Sequence, residues 1–111
     1  MLLNIQPINF FSGGVDQDEE AGSTLLFQVT LACGCPTCAG GRFDPQRFRV
    51  KVHVYKGQEE VGVFRATCRG NVSEFECKLP KLASGSYSVE IDALDPETGA
   101  AGRLTAELFF H

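Results

Sequence analysis

The clearest structural signal in this chain is the run Arg47-Phe48-Arg49-Val50-Lys51-Val52-His53-Val54-Tyr55. Polar and apolar side chains alternate along it without a break, so the apolar residues share one face and the others share the opposite face. Strict alternation is typical of a β-strand that is buried on one side. The run therefore predicts a strand at residues 47–55, with Phe48 and the valines directed into a core.

The same alternation recurs along the rest of the chain, between turns rich in Gly, Pro, Asn and Asp. It predicts strands at residues 2–11, 24–33, 47–55, 60–68, 74–79, 86–93 and 103–110. The stretch 60–68 is the least regular and is interpreted as one strand or two short ones, and Pro7 suits an edge position. No segment has the long i, i+3, i+4, i+7 pattern of a helix. These features predict an all-β fold, a two-sheet antiparallel sandwich of about seven strands, in a single domain over residues 1–111.

A second stretch carries a family resemblance: Leu82-Ala83-Ser84-Gly85-Ser86-Tyr87-Ser88-Val89-Glu90-Ile91-Asp92-Ala93-Leu94-Asp95, followed by Gly99. It resembles the "L-x-x-G-x-Y-x-V-x-V-x-A-x-D…G" pattern of bacterial immunoglobulin-like and fibronectin type III-like domains. The resemblance implies an immunoglobulin-like sandwich in which this stretch forms the E–F corner, strand F and the F–G turn. It says little about function, because this fold carries many unrelated activities. The chain lacks Trp and has no Cys on the predicted strand F, so the B–F disulfide of antibody domains is excluded.

Composition limits the classes of function. The formal charge of −4 argues against a nucleic-acid partner, and no apolar run approaches the roughly 20 residues that span a bilayer. The histidines, His53 in mid-strand and His111 at the last position, have no nucleophile beside them. We therefore expect a non-enzymatic protein without a nucleic-acid partner or a membrane span.

The residues with the most chemical potential are the five cysteines, Cys33, Cys35, Cys38, Cys68 and Cys77. In the expected topology the B–C, D–E and F–G loops lie at one end of the sandwich. Chain direction places the first three cysteines in or beside the B–C loop and the last two at the D–E hairpin. The sequence thus predicts a cysteine-rich loop end.

Several interpretations of this end stay open. A disulfide between Cys68 and Cys77 would contribute roughly 2–3 kcal/mol. Alternatively, Cys35-Pro36-Thr37-Cys38 resembles the C-P-x-C knuckle of zinc ribbons and rubredoxin-like sites, and Cys68 with Cys77 would complete a zinc site. Cys33 is an additional candidate ligand. Thiol redox chemistry at Cys35 and Cys38 is disfavoured, because no helix follows to lower the thiol pKa. The last interpretation is a set of unrelated thiols.

The expected function is a binding, adhesion or assembly module that presents its loops through Gly34, Pro36, Thr37, Asn71, Asp95 and Glu97. The alternative is a small intracellular zinc-binding protein that uses the thiolate cluster. We expect a protein partner or self-association, because residues 2–11 are very apolar for an edge strand. The start of the chain does not resemble a signal peptide. Disulfides would indicate an extracellular or surface location, and a bound metal a cytoplasmic one.

The polar face of the strand 47–55 carries Arg47, Arg49, Lys51, His53 and Tyr55. In the expected topology it lies beside the strand 86–93, whose outward residues are Ser86, Ser88, Glu90 and Asp92. Opposite charges on neighbouring strands attract one another. We therefore expect this face to be paired internally, rather than to bind an anionic partner.

Overall fold

The computed structural model describes residues 2–32, 42–69 and 73–111. The strands within these ranges are β1 Leu3–Pro7, β2 Gly14–Val15, β3 Ser23–Leu31, β4 Arg49–Lys56, β5 Glu59–Arg65, β6 Thr67–Cys68, β7 Glu74–Leu79, β8 Gly85–Leu94 and β9 Ala101–Phe110. A single turn of 3₁₀ helix, Pro45–Arg47, precedes β4. In the described part of the chain, no helix has the length and apolar character needed to cross a membrane. The all-β prediction is confirmed.

The strands form two sheets. Sheet I has the order β1-β3-β7-β6, and sheet II has the order β2-β9-β8-β4-β5. Neighbouring strands are antiparallel, except that the short β2 runs parallel to β9. The order β1-β3-β7-β6 facing β9-β8-β4 corresponds to the A-B-E-D and G-F-C sheets of immunoglobulin sandwiches. The predicted two-sheet sandwich is confirmed, with two additional two-residue strands, β2 and β6.

The chain passes from sheet II to sheet I within the stretch that the sequence left ambiguous. Residues 60–68 form two strands, β5 in sheet II and β6 in sheet I. Ala66 lies between them, and its amide donates a hydrogen bond of 2.9 Å to the carbonyl of Val50. The irregular alternation therefore marks a change of sheet.

The core is built from the apolar faces that the alternation predicts. The fully buried side chains include Leu25, Phe27, Val29, Val50, Val52, Val54, Phe75, Leu79, Val89, Ile91 and Phe110. Phe75 stacks between Phe27 and Phe48, with ring centroids 6.1 and 6.4 Å away. On β9 only Leu108 and Phe110 are buried, and Leu104 and Ala106 are half-buried. Leu104 and Ala106 still pack against the core.

The corner before β8 has the geometry that the family resemblance implies. The hydroxyl of Tyr87 donates a hydrogen bond of 2.7 Å to the carbonyl of Ala83, four residues earlier. Its ring packs edge-on against Phe110 at 5.3 Å. A tyrosine that bonds back to the preceding backbone at this corner is a hallmark of immunoglobulin-type sandwiches.

The predicted edge position of the first strand is also confirmed, since β1 ends sheet I. Leu3, Ile5 and Phe10 are buried in the core, whereas Leu2 and Phe11 are exposed. Most of the apolar character of residues 2–11 is therefore used inside the molecule.

Candidate metal centre

The outer face of sheet II brings an imidazole and carboxylates together through strand register. β4 and β8 pair so that His53 lies opposite Glu90 and Lys51 lies opposite Asp92. On the other side of β8, Asp92 lies opposite Arg103 of β9. This is the neighbour relationship expected from the sequence for the strands 47–55 and 86–93.

Three side chains on this face offer ligand atoms close to one another. One atom each from His53, Glu90 and Asp92 lie within 4.8 Å of each other, the only such group among the described residues. The three side chains are 23%, 25% and 32% exposed. An ion could therefore reach them from solvent, and water could complete its coordination shell.

The imidazole of His53 lies between two carboxylates. Its Nε2 is 3.3 Å from Oδ2 of Asp92, and its Nδ1 is 3.3 Å from Oε1 of Glu60. The register shifts between Val54 and Tyr55, which brings Glu60 opposite Tyr55, and bulges of this kind commonly redirect a side chain. The ring also stacks on Tyr55, with 6.3 Å between centroids. These contacts fix the orientation of the imidazole.

Arg103 is the cation that neutralises the carboxylates in this arrangement. Its Nε donates a hydrogen bond of 2.8 Å to Oδ1 of Asp92 and lies 3.7 Å from Oε1 of Glu90. The hydrogen bond to Asp92 raises the pKa of Arg103 above its ordinary value. Any metal ion that binds here must therefore compete with Arg103.

The donor set has the chemistry of a transition-metal site. Imidazole nitrogen and carboxylate oxygen suit Zn²⁺, Cu²⁺ and Ni²⁺, at metal–ligand distances of about 2.0–2.2 Å. The ligand atoms lie within 4.8 Å of one another, and Nε2 of His53 is 3.3 Å from Oδ2 of Asp92, a separation that two ligands of one ion can have.

The structure corrects the expected position of Cys77. Several of the predicted site residues, Cys33, Gly34, Cys35, Pro36, Thr37, Cys38 and Asn71, lie outside the described residues. Cys77 lies in the middle of β7, fully buried and opposite Leu25, so it is a core residue and not a loop residue. Cys68 is at the end of β6, opposite Phe75. The zinc–thiolate set of Cys35, Cys38, Cys68 and Cys77, with Cys33 as an additional ligand, stays a prediction.

The predicted disulfide between Cys68 and Cys77 is not formed. The register makes Phe75, rather than Cys77, the direct neighbour of Cys68, and diagonal neighbours in a sheet are about 7–8 Å apart, too far for a disulfide. Burial raises the pKa of the Cys77 thiol to about 12. Burial, and to a lesser degree Asp44, raises the pKa of Cys68. Without a bound metal, both side chains therefore favour the neutral thiol over the thiolate.

Asp95 and Glu97, predicted as binding-loop residues, have different environments. Asp95 is fully buried and accepts hydrogen bonds of 2.8 and 2.9 Å from Nε and Nη2 of Arg47. The Arg47 guanidinium holds the pKa of Asp95 well below its usual range, with smaller contributions from Thr98 and the amide of Glu97. Asp95 therefore has a structural role in this turn, and its predicted role in binding stays a prediction. Glu97 is exposed and lies 3.5 Å from Nη1 of Arg47.

The sequence did not identify His53, Glu90 and Asp92 as a metal-binding group. The alternation places all three residues on the outer face, and the sequence predicts that their charges pair internally. The signal in the sequence that could have identified this group is the predicted pairing of the strands 47–55 and 86–93. That pairing places the imidazole beside two carboxylates.

The fold is similar to that of the crystal structure of CopC from Methylosinus trichosporium OB3b. The match covers 96% of this chain and 93% of that protein, with a TM-score of 0.58 and 16% sequence identity. At this level of identity the likeness concerns the fold. Comparison with models of protein families gave no match. No curated protein sequence matched the chain either.

Proposed function

We propose that this β-sandwich binds a divalent transition-metal ion through His53, Glu90 and Asp92. The observation that carries the proposal is the convergence of three ligand atoms within 4.8 Å. The residues come from β4 and β8, which are neighbouring strands in the interior of sheet II. Ligands on paired strands are held more rigidly than ligands on loops.

Glu60 supports this function by orienting the imidazole. A metal-binding histidine usually donates its second ring N–H to a carboxylate or a carbonyl, which fixes the tautomer. In His53, a proton on Nδ1 would be donated to Glu60, 3.3 Å away. The lone pair of Nε2 would then face Asp92 and be available to the metal.

Arg103 sets the conditions under which a metal binds. An ion bound here would share the carboxylates of Asp92 and Glu90 with the guanidinium, whose positive charge opposes that of the metal. Protons also compete with the metal for the imidazole, so affinity should fall as the solution becomes acidic. Zn²⁺ and Cu²⁺ are the ions to test first, with Cu²⁺ the tighter of the two.

The test is a Zn²⁺ titration of the full chain by isothermal calorimetry. His53→Gln should weaken binding by more than about tenfold, since even the loss of a residue that only supports a ligand typically costs 10–100-fold. The matched control is His111→Gln, which removes the other histidine of the chain and should leave affinity unchanged.

A parallel titration with Co²⁺ distinguishes this site from the predicted cysteine site. Co²⁺ bound to thiolates has strong near-ultraviolet charge-transfer absorption, whereas imidazole and carboxylate ligands do not produce it. A thiolate spectrum in the wild type, together with unchanged affinity in His53→Gln, would refute the His53 site and support the cysteines.

A second candidate function is assembly with a protein partner or with another copy of the chain. The observation in its favour is β5, the edge strand of sheet II, on which Val61 and Val63 are 43% and 46% exposed. Exposed apolar edge strands pair readily with other chains. Sedimentation velocity should then show a concentration-dependent oligomer that Val63→Lys abolishes. Both candidate functions are binding functions.

A further inference from the structure

The outer face of sheet II carries cations that form no ion pair with the carboxylates of the candidate metal site. Arg49 and Lys51 of β4 and Arg65 of β5 are exposed, and none of them forms an ion pair with a described residue. Asp92 is the register neighbour of Lys51. Its two oxygens, however, face Arg103 and His53. The expected internal pairing therefore holds for His53 but not for Arg49 and Lys51.

The register also places like charges side by side. Lys51 lies directly opposite Arg65 in the pairing of β4 with β5. Like charges in directly opposed positions destabilise a sheet. Departures from local structural rules are more common at functional sites than elsewhere. An anion bound beside these residues would relieve the repulsion.

Hollows lie on both sides of the ridge formed by Arg49 and Lys51. The larger has a volume of about 680 Å³ and is lined by the apolar Leu2 and Leu94, by the cations Arg49, Lys51 and Arg103, and by Asp92, whose charge is paired with Arg103. The smaller, of about 420 Å³, is lined by Arg49, Lys51 and Arg65. The larger hollow is within the ~300–1,000 Å³ range of small-molecule sites.

We propose that the larger hollow binds a small organic anion with an apolar body. Its carboxylate or phosphate lies between Arg49 and Lys51, and its body covers Leu2 and Leu94, which are 68% and 39% exposed. A few convergent charged groups above an apolar floor are the usual composition of such a site. Anion binding here does not require a metal at His53.

The surrounding charges favour a small ligand over an extended polyanion. Glu90 and Glu107 occupy the same face of sheet II as Asp92, farther along β8 and β9. A nucleic acid or a long acidic peptide laid along these strands would meet their carboxylates. An anion confined to the hollow would avoid Glu90 and Glu107 and would meet only Asp92, whose charge is paired with Arg103.

The test uses 2-naphthoate as the probe, in the presence of a metal chelator, with two-dimensional amide NMR of the full chain. The amides of Lys51, Leu94, Ala101 and Gly102 should shift together, with a dissociation constant on the order of 1 mM. Neutral 2-naphthalenemethanol should bind more weakly, because it lacks the anionic head.

Substitution distinguishes this site from general attraction to a cationic surface. Lys51→Gln should weaken 2-naphthoate binding by about two- to fivefold, the range for one exposed charge pair. Lys78→Gln makes the same charge change at an exposed position of β7 in sheet I and should have no effect. Arg49→Gln repeats the test if Lys51→Gln does not fold.

Three results would overturn the proposal: equal affinity for the neutral analogue, an equal loss in Lys78→Gln, or amide shifts confined to another surface. Because the titrations are metal-free, they succeed or fail independently of metal binding by His53.

Discussion

Asp95 accepts hydrogen bonds from the guanidinium of Arg47, the hydroxyl of Thr98 and the amide of Glu97. Because the carboxylate is fully buried, these bonds replace the hydration that it loses on folding. They tie the turn between β8 and β9 to the 3₁₀ turn before β4. The loop end is thus held together by this ion pair in the described residues, where the sequence suggested cysteines.

Asp95→Asn should lower the free energy of unfolding by about 1–3 kcal/mol at neutral pH, because Arg47 loses its anionic partner. The pKa of Asp95 in the folded state is below its ordinary value of 3.8. The stabilisation by the carboxylate is therefore complete above that value, and it declines as pH falls through the folded-state pKa. Urea unfolding at stepwise lower pH should show the gap between wild type and variant closing.

The control for this experiment is Glu97→Gln, an exposed position in the same turn, which should change stability by less than about 0.5 kcal/mol. A gap that stays constant into strong acid would mean that the charge of Asp95 does not stabilise the fold.

The environment of Asp95 was not predictable from local pattern because its partner lies 48 residues away. The alternation assigned Arg47 to a strand. In the structure, Asp44 caps a 3₁₀ turn that begins at Pro45, and Arg47 ends this turn rather than starting β4. An aspartate before a proline is a typical start for such a turn. This signal was present in the sequence but was weaker than the alternation.

At the scale of the strands, the alternation of apolar and polar residues predicts well where each strand lies in the sequence and which side chains face the core. Both properties depend on residues that are close together in the chain. β4, β7 and β8 bury the residues expected of them, and β3 buries Leu25, Phe27 and Val29, with Leu31 half-buried. The pairing of charges depends instead on strands that are distant in the chain. Asp92 pairs with Arg103 of β9, so Lys51 has no carboxylate partner among the described residues. The residue opposite Lys51 on β5 is Arg65, which is also a cation. The charges around the candidate metal site and the unpaired charges of Arg49 and Lys51 both depend on the pairing of Asp92 with Arg103.

Arg65→Glu should stabilise the protein, because it converts the like-charged pair with Lys51 into an attractive one. The expected rise in Tm is about 1–5 °C, measured by thermal unfolding at low ionic strength and reduced by added salt. Lys78→Glu, opposite Thr24 in sheet I, is the control and should leave Tm nearly unchanged. An unchanged or lower Tm in Arg65→Glu would show that Lys51 and Arg65 do not repel each other appreciably.

At the scale of the whole molecule, the two proposed sites share two residues, Asp92 and Arg103. Arg103 pairs with the carboxylates of the candidate metal site and also lines the larger hollow. In the first role it opposes a metal ion, and in the second it attracts an anion. A metal bound to Asp92 would neutralise the carboxylate that lines the hollow, so each ligand should favour the binding of the other.

Arg103→Gln should therefore move two affinities in opposite directions. Zn²⁺ should bind about two- to fivefold more tightly, because the competing cation is gone, and 2-naphthoate should bind more weakly by a similar factor. The matched control is Arg69→Gln, since Arg69 also pairs with a carboxylate, that of Glu74, but does so at sheet I. It should change neither affinity. If Arg103→Gln weakened both ligands or left Zn²⁺ affinity unchanged, Arg103 would not be the competitor that the geometry indicates.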